Sequence, residues 1–141
     1  MAQSSLIKKL HIKPGQRIIV INPPPGYLDQ LGDLPEGVEL ADEPGGVALA
    51  NQPGDTFDFV HLFVKNIAEL ERLGPTAVLA VKHDGLLWIS YPKRSSKIET
   101  DISRDVGWEV ITGAGLRAVT QVSIDAVWSA LRFRPAERVG K

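Results

Sequence analysis

Cysteine is absent from this chain, so disulfides, thiolate metal sites and cysteine nucleophiles are excluded outright. Histidine is almost as scarce. His11, His61 and His83 are the only three, and no two have metal-ligand spacing, which leaves a structural zinc site without ligands. An excess of either charge is also lacking: a net charge of −1 gives no overall pull toward nucleic acid, and no nucleic-acid partner is expected. Long apolar runs are missing as well. No stretch reaches the ~18 residues of a membrane span, and Lys8 and Lys9 interrupt the apolar stretch at the amino terminus, so neither a signal-peptide core nor membrane association is expected. Cytoplasmic residence is the resulting expectation. What remains is ordinary globular composition, 43% apolar and 23% charged, in 141 residues. A chain of that length buries about 68–70% of its unfolded surface, so one core and one domain spanning 1–141 are expected.

Hydrophobic periodicity then predicts helices alternating with strands. Ser4 or Ser5 caps a short helix carrying Leu6, Ile7 and Leu10, ended by Pro14-Gly15. Arg17 to Asn22 is a nearly unbroken β-branched run, the pattern of a strand covered on both faces in a parallel sheet. Pro23-Pro24-Pro25-Gly26 leaves it as a stiff loop, because proline donates no ladder hydrogen bond and biases the preceding residue away from helix. Tyr27 to Leu31 suits one helical turn and Gly37 to Leu40 a short second strand. Within the Pro/Gly-rich stretch from Ala41 to Asp55, Val47 to Ala50 is a candidate for order. Phe57 to Val64 is the clearest strand and is expected to be central. Asn66 stands where a helix cap belongs, Gly74-Pro75 is expected to restart a second helical piece reaching Val81, and His83-Asp84-Gly85 reads as a turn. Leu86 to Tyr91 is the next buried strand. Thr100 is expected to cap a helix holding Ile102, Val106, Val110 and Ile111, stopped by Gly113-Ala114-Gly115. Leu116 to Ile124 and Val127 to Phe133 form an antiparallel hairpin across Asp125-Ala126. The sum is an α/β fold with a mixed, mostly parallel sheet.

Four segments, Lys13 to Ile18, Phe57 to Val64, Gly85 to Tyr91 and Trp128 to Arg134, together resemble the skeleton of a class I S-adenosylmethionine-dependent methyltransferase over most of the chain. The Lys13-Pro14-Gly15 start, the Trp88-Ile89-Ser90-Tyr91-Pro92-Lys93 strand exit and the Trp128-Ser129-Ala130-Leu131-Arg132-Phe133 ending are similar to a small bacterial family of unknown function. The resemblance implies a truncated Rossmann-like, methyltransferase-like sheet with a C-terminal antiparallel hairpin. Methyltransferases of this class place a glycine-rich turn after the first strand, for close backbone approach to the cofactor, and an acidic residue at the end of the second, for the ribose hydroxyls. Here the turn is Asn22-Pro23-Pro24-Pro25-Gly26, with one glycine and three rigid rings, so no cofactor is expected. Asp42 and Glu43, just past the second strand, are the residues the resemblance assigns to the ribose if S-adenosylmethionine binds. Asn22-Pro23-Pro24 also resembles the Asn-Pro-Pro-aromatic motif of amino-methyltransferases, but Pro25 and Gly26 intervene before Tyr27.

Lys93-Arg94-Ser95-Ser96-Lys97 follows the carboxyl end of a parallel strand, the edge where open α/β sheets bind ligands, and its cations suit phosphate or carboxylate as well as plain solvent. His61 reads as a satisfied core histidine and His83 as a turn residue. Trp88, Trp108 and Trp128 read as core anchors. Ser90, Ser103 and Ser129 lack a Gly-x-Ser-x-Gly context and an assignable histidine, so no catalytic residue is expected. The expected ligand-binding set at the sheet edge is Asn22, Gly26, Tyr27, Asp42, Tyr91 and Lys93. Its function would be that of a non-catalytic methyltransferase-like module, binding a protein partner or small ligand there. Two alternatives stand beside it: a minimal methyltransferase, in which the cofactor carries the reactive group, and an oligomeric scaffold without a ligand.

Overall fold

Branched residues at every position but the first make Arg17–Ile21, strand β1, apolar on both sides: Ile18 and Val20 face one layer, Ile19 and Ile21 the other. The structure, a computed structural model, describes residues 5–32, 34–43 and 57–138. β1 lies between β2 (Glu39–Glu43) and β3 (Phe57–Phe63), parallel to both, and β3 is parallel to β4 (Val81–Pro92). The hairpin of β5 (Leu116–Ser123) and β6 (Trp128–Pro135) adds antiparallel to β4, completing a six-stranded sheet in the order β2-β1-β3-β4-β6-β5. This is the expected mostly parallel, truncated Rossmann-like sheet with its C-terminal hairpin.

Helices cover both faces. Ile19, Val60, Leu62, Ile89 and Leu131 pack under α3 (Ile67–Ala80) and α4 (Glu109–Thr112), with Leu70, Leu73 and Ile111 filling between. On the other face Ile18, Val20, Phe59 and Trp88 meet α1 (Ser5–Lys9) and α2 (Tyr27–Leu31) through Leu6 and Leu31, with Leu10, just past α1, beside them. Each fully buried aliphatic or Phe side chain contributes about 1.5–3 kcal/mol.

Several boundaries differ from expectation. Helix α1 stops earlier than Pro14: His11 takes a left-handed φ of 62°, and the N–H of Ile12 and of His11 turn back to the carbonyls of Ile7 and Lys8 at 3.0 and 3.2 Å. That is the two-bond helix stop usually built on glycine. Gly74-Pro75 does not restart a helix, since α3 is continuous over 14 residues with Pro75 inside it. Proline forfeits only the bond to the Glu71 carbonyl there, and both residues are exposed to water. The expected turn His83-Asp84-Gly85 is instead an irregular stretch of β4, where pairing with β3 jumps from Phe57↔Val81 to Phe59↔Leu86. Thr100 caps no long helix: its hydroxyl accepts from the N–H of Ile102 at 3.1 Å, Gly107 adopts φ 106°, and only Glu109–Thr112 is helical. Val47 to Ala50 lies outside the described residues.

Candidate functional site

Because β1, β3 and β4 run parallel, their carboxyl ends share one edge of the sheet, and the segments leaving them determine what that edge presents. β1 ends at Asn22, whose backbone is left-handed at φ 59° and whose amide Nδ2 donates to the Phe63 carbonyl at 3.0 Å, tying the end of β1 to the end of β3. The following loop returns at once, the N–H of Tyr27 donating to the Pro24 carbonyl at 3.1 Å. Pro23, Pro24 and Pro25 have no N–H to offer a ligand. Gly26 has φ 85° and open space where a Cβ would stand, so its glycine serves the backbone turn and not a close approach. These residues do not fit the glycine-rich cradle that S-adenosylmethionine needs in this fold.

Tyr27 is placed differently from its expected role as an exposed ligand contact. Its side chain is 1% exposed, and its hydroxyl lies 2.7 Å from Nδ1 of His61, whose Nε2 lies 2.6 Å from Ser90 Oγ. Burial pushes the Tyr27 phenol far above its usual range and the His61 ring down to about 3, so both stay neutral. This Tyr-His-Ser chain is a satisfied core element, as expected of His61. Trp88, Trp108 and Trp128 are buried too, and the first two donate their indole N–H to the carbonyls of Leu10 and Ser103 at 3.1 and 2.8 Å.

Asp42 and Glu43 lie within β2 instead of beyond it, pairing with Val20 and Ile21, so an acidic residue does end the second strand. Tyr91 and Lys93 flank the β4 exit. The Tyr91 hydroxyl accepts from Gln121 Nε2 at 2.8 Å, and Lys93 Nζ donates to Ser123 Oγ at 2.6 Å. Beyond them, residues 94–107 fold over the edge and are pinned to α3 where the Asp101 carboxylate accepts the N–H of Ile67 at 2.7 Å.

Two concavities flank this segment. One, of 720 Å3, is lined by Asn66, Arg94, Glu99, Thr100, Asp101 and Val106. The other, of 390 Å3, lies between Tyr91, Lys93, Arg104, Asp105, Gln121 and Ser129. Of the expected set, Tyr91 and Lys93 share the second concavity, whereas Asn22 and Gly26 belong to the β1 loop and Tyr27 to the core. Arg104, Gln121 and Ser129 join the edge through strand register and loop folding, which neither spacing nor periodicity encodes. No cluster of three or more metal-ligating side chains occurs among the described residues, and no described helix is long and apolar enough to cross a membrane.

No protein-family model and no curated protein matches the chain. Among solved structures it is similar to an S-adenosylmethionine-dependent methyltransferase from Aquifex aeolicus, with a TM-score of 0.65 at 14% identity over 91% of this chain and 86% of that one. A second such methyltransferase, from Archaeoglobus fulgidus, gives 0.58 at 8% identity over 92% of each chain. A ribosomal protein L11 methylase from Lactobacillus delbrueckii subsp. bulgaricus gives 0.58 at 12% identity, covering 92% of this chain and 74% of that one. Identities this low speak for architecture alone: the chain has the fold of the S-adenosylmethionine-dependent methyltransferases.

Proposed function

We propose that this chain is a non-catalytic methyltransferase-like module that binds a small ligand or a protein partner at the carboxyl edge of its sheet. The observation that carries the reading is the loop Asn22 to Gly26. Three of its five residues are prolines without an N–H, and the side-chain amide of Asn22 is spent on Phe63. Both concavities at this edge instead flank the β4 exit. Neither nucleic acid nor membrane is part of the proposal, and self-association through the same edge is compatible with it.

A minimal methyltransferase is the second reading, favoured by Asp42 and Glu43 at the end of β2, where an acidic residue would hold the cofactor's ribose. Calorimetric titration of the full chain with S-adenosylmethionine separates the two. The module reading expects no saturable heat in the micromolar range. Micromolar binding that disappears in Asp42→Ala would establish the methyltransferase reading in its place.

A further inference from the structure

The sheet face that carries Tyr91 also holds a row of polar groups that contacts within the protein do not fully satisfy. Residues directly opposite in an antiparallel pair project from the same face. The register Tyr91↔Ser129 and Ser129↔Ser123 therefore sets three hydroxyl-bearing side chains side by side across β4, β6 and β5. Gln121, two residues before Ser123, joins that face through Tyr91, and Lys93 joins it through Ser123. Ser103, Arg104 and Asp105 form the opposite wall of the 390 Å3 concavity.

Ser129 keeps a free hydroxyl at the floor of that row. It is 7% exposed, yet its hydroxyl has no hydrogen-bond partner among the described residues. The hydroxyl oxygen is not sealed from solvent: it opens on the concavity, where water or a ligand can bond to it. Ser129 lines the concavity beside Tyr91, whose oxygen already accepts from Gln121, leaving the phenol's own hydrogen to donate. Burial raises the Tyr91 pKa, which keeps that hydrogen in place. Around these two donors stand Lys93, Arg94 and Arg104, three cations against the one carboxylate of Asp105. Donors and a net charge of two positives suit an acceptor-only dianion, and guanidinium groups match phosphate geometry.

We propose that this concavity binds a phosphate monoester, its dianionic group held by the hydroxyls of Tyr91 and Ser129 and by the cations of Lys93, Arg94 and Arg104. The volume exceeds what a phosphate group fills and leaves room for a small organic body against Ile102. This assignment rests on the reading that ligands bind at the carboxyl edge and names their chemical class.

The test is a backbone amide shift titration of the full chain with inorganic phosphate, run beside acetate at matched ionic strength. Saturable shifts at Tyr91, Lys93, Arg104, Gln121 and Ser129 are expected, with affinity at least about tenfold weaker in Arg104→Gln and in Ser129→Ala, the size of one charge-assisted bond. Arg104 is exposed and Ser129→Ala removes only a hydroxyl, and the same spectra report whether each variant is folded. Absence of saturation would overturn the proposal, as would equal shifts from acetate, shifts scattered to Lys8 and Lys82, or unchanged affinity in both variants. In this fold S-adenosylmethionine would be met at the Asn22 to Gly26 loop, so micromolar binding of that probe sinks the module reading without touching this result, and failure with phosphate leaves the module reading standing.

Discussion

Tyr27 Oη lies 2.7 Å from Nδ1 of His61, inside a core from which both side chains are excluded from solvent. With Ser90 Oγ on Nε2, a neutral imidazole donates through one nitrogen and accepts through the other, and the two hydroxyls meet both needs. Among the described residues no carboxylate neighbours it to reward protonation, and burial holds its pKa down to about 3.

Stability should therefore decline in mild acid. The unfolded histidine takes up its proton below about pH 6.5, while the folded ring resists until about 3, so between these values the unfolded state binds more protons. Above about pH 6.5 His61 contributes no pH dependence, and well below it stability falls by about 1.4 kcal/mol per pH unit. Asp58 is held below its usual range by the N–H of Arg17. Asp125 is raised by burial but lowered more by the N–H groups of Trp128 and Val127, so both act in the same direction only at lower pH. Urea unfolding of the wild type and His61→Gln between about pH 6.5 and 5 isolates the histidine, with a flatter profile expected in the variant. Parallel profiles would show that His61 charges readily in the fold.

Trp88→Ala should destabilise the protein by about 3–5 kcal/mol, the usual result of truncating a large buried aromatic. The side chain has no exposure and also satisfies the Leu10 carbonyl, which secures the end of α1. Leu79→Ala, on a residue that is 69% exposed, should change stability by less than about 0.5 kcal/mol. Similar losses in the two variants would mean that Trp88 is not the anchor its burial makes it.

The sequence was legible where both faces of an element are apolar. Ile18 to Ile21, Phe57 to Val64 and Leu86 to Tyr91 could only be covered strands, and helices between them forced parallel pairing. It was misleading where a breaker residue sits in an element held by tertiary packing. Pro75 did not split α3, because Leu70, Leu73 and Ala77 on either side of it share one buried face. The spacing of Ile102, Val106, Val110 and Ile111 looked helical, yet Val106 is half exposed and Ile102 turns inward from a loop. The site was legible only as an edge. Tyr91 and Lys93 announced themselves by following a parallel strand, but Ser129 and Gln121 reach them through antiparallel register, and register is a property of pairing.

Gly107 should be far less tolerant of a side chain than Gly26. Both have positive φ, so alanine is strained at each by about 1–2 kcal/mol. At Gly26 a Cβ meets nothing, whereas at Gly107 it lands 3.0 Å from Ile67 Cγ1 at the start of α3. Overpacking adds about 1–3 kcal/mol there. Denaturant midpoints of the two alanine variants provide the comparison, and equal losses would place the Ile67 side chain elsewhere.

Asp101→Ala should lower stability by about 1 kcal/mol and loosen the segment that carries Arg104. Helix α3 starts with N–H groups that its own turns cannot satisfy. Asn66 Oδ1 accepts the N–H of Glu69 at 2.8 Å, the Glu69 carboxylate accepts the N–H of Lys65 at 2.7 Å, and Asp101 accepts the N–H of Ile67 at 2.7 Å from 34 residues away. The first two bonds are local to the helix start. The third is the one that fastens the β4 exit segment onto α3, and its negative charge also suits the positive end of the helix dipole. Asn66→Ala should thus cost a similar amount of stability, yet leave amide exchange in residues 98–106 unchanged, whereas Asp101→Ala should speed it. Asp101→Asn, which keeps an acceptor oxygen, should fall between wild type and alanine. If Asn66→Ala and Asp101→Ala accelerate exchange in that segment equally, then α3 stability as a whole governs the segment, and Asp101 is no more than one cap among several.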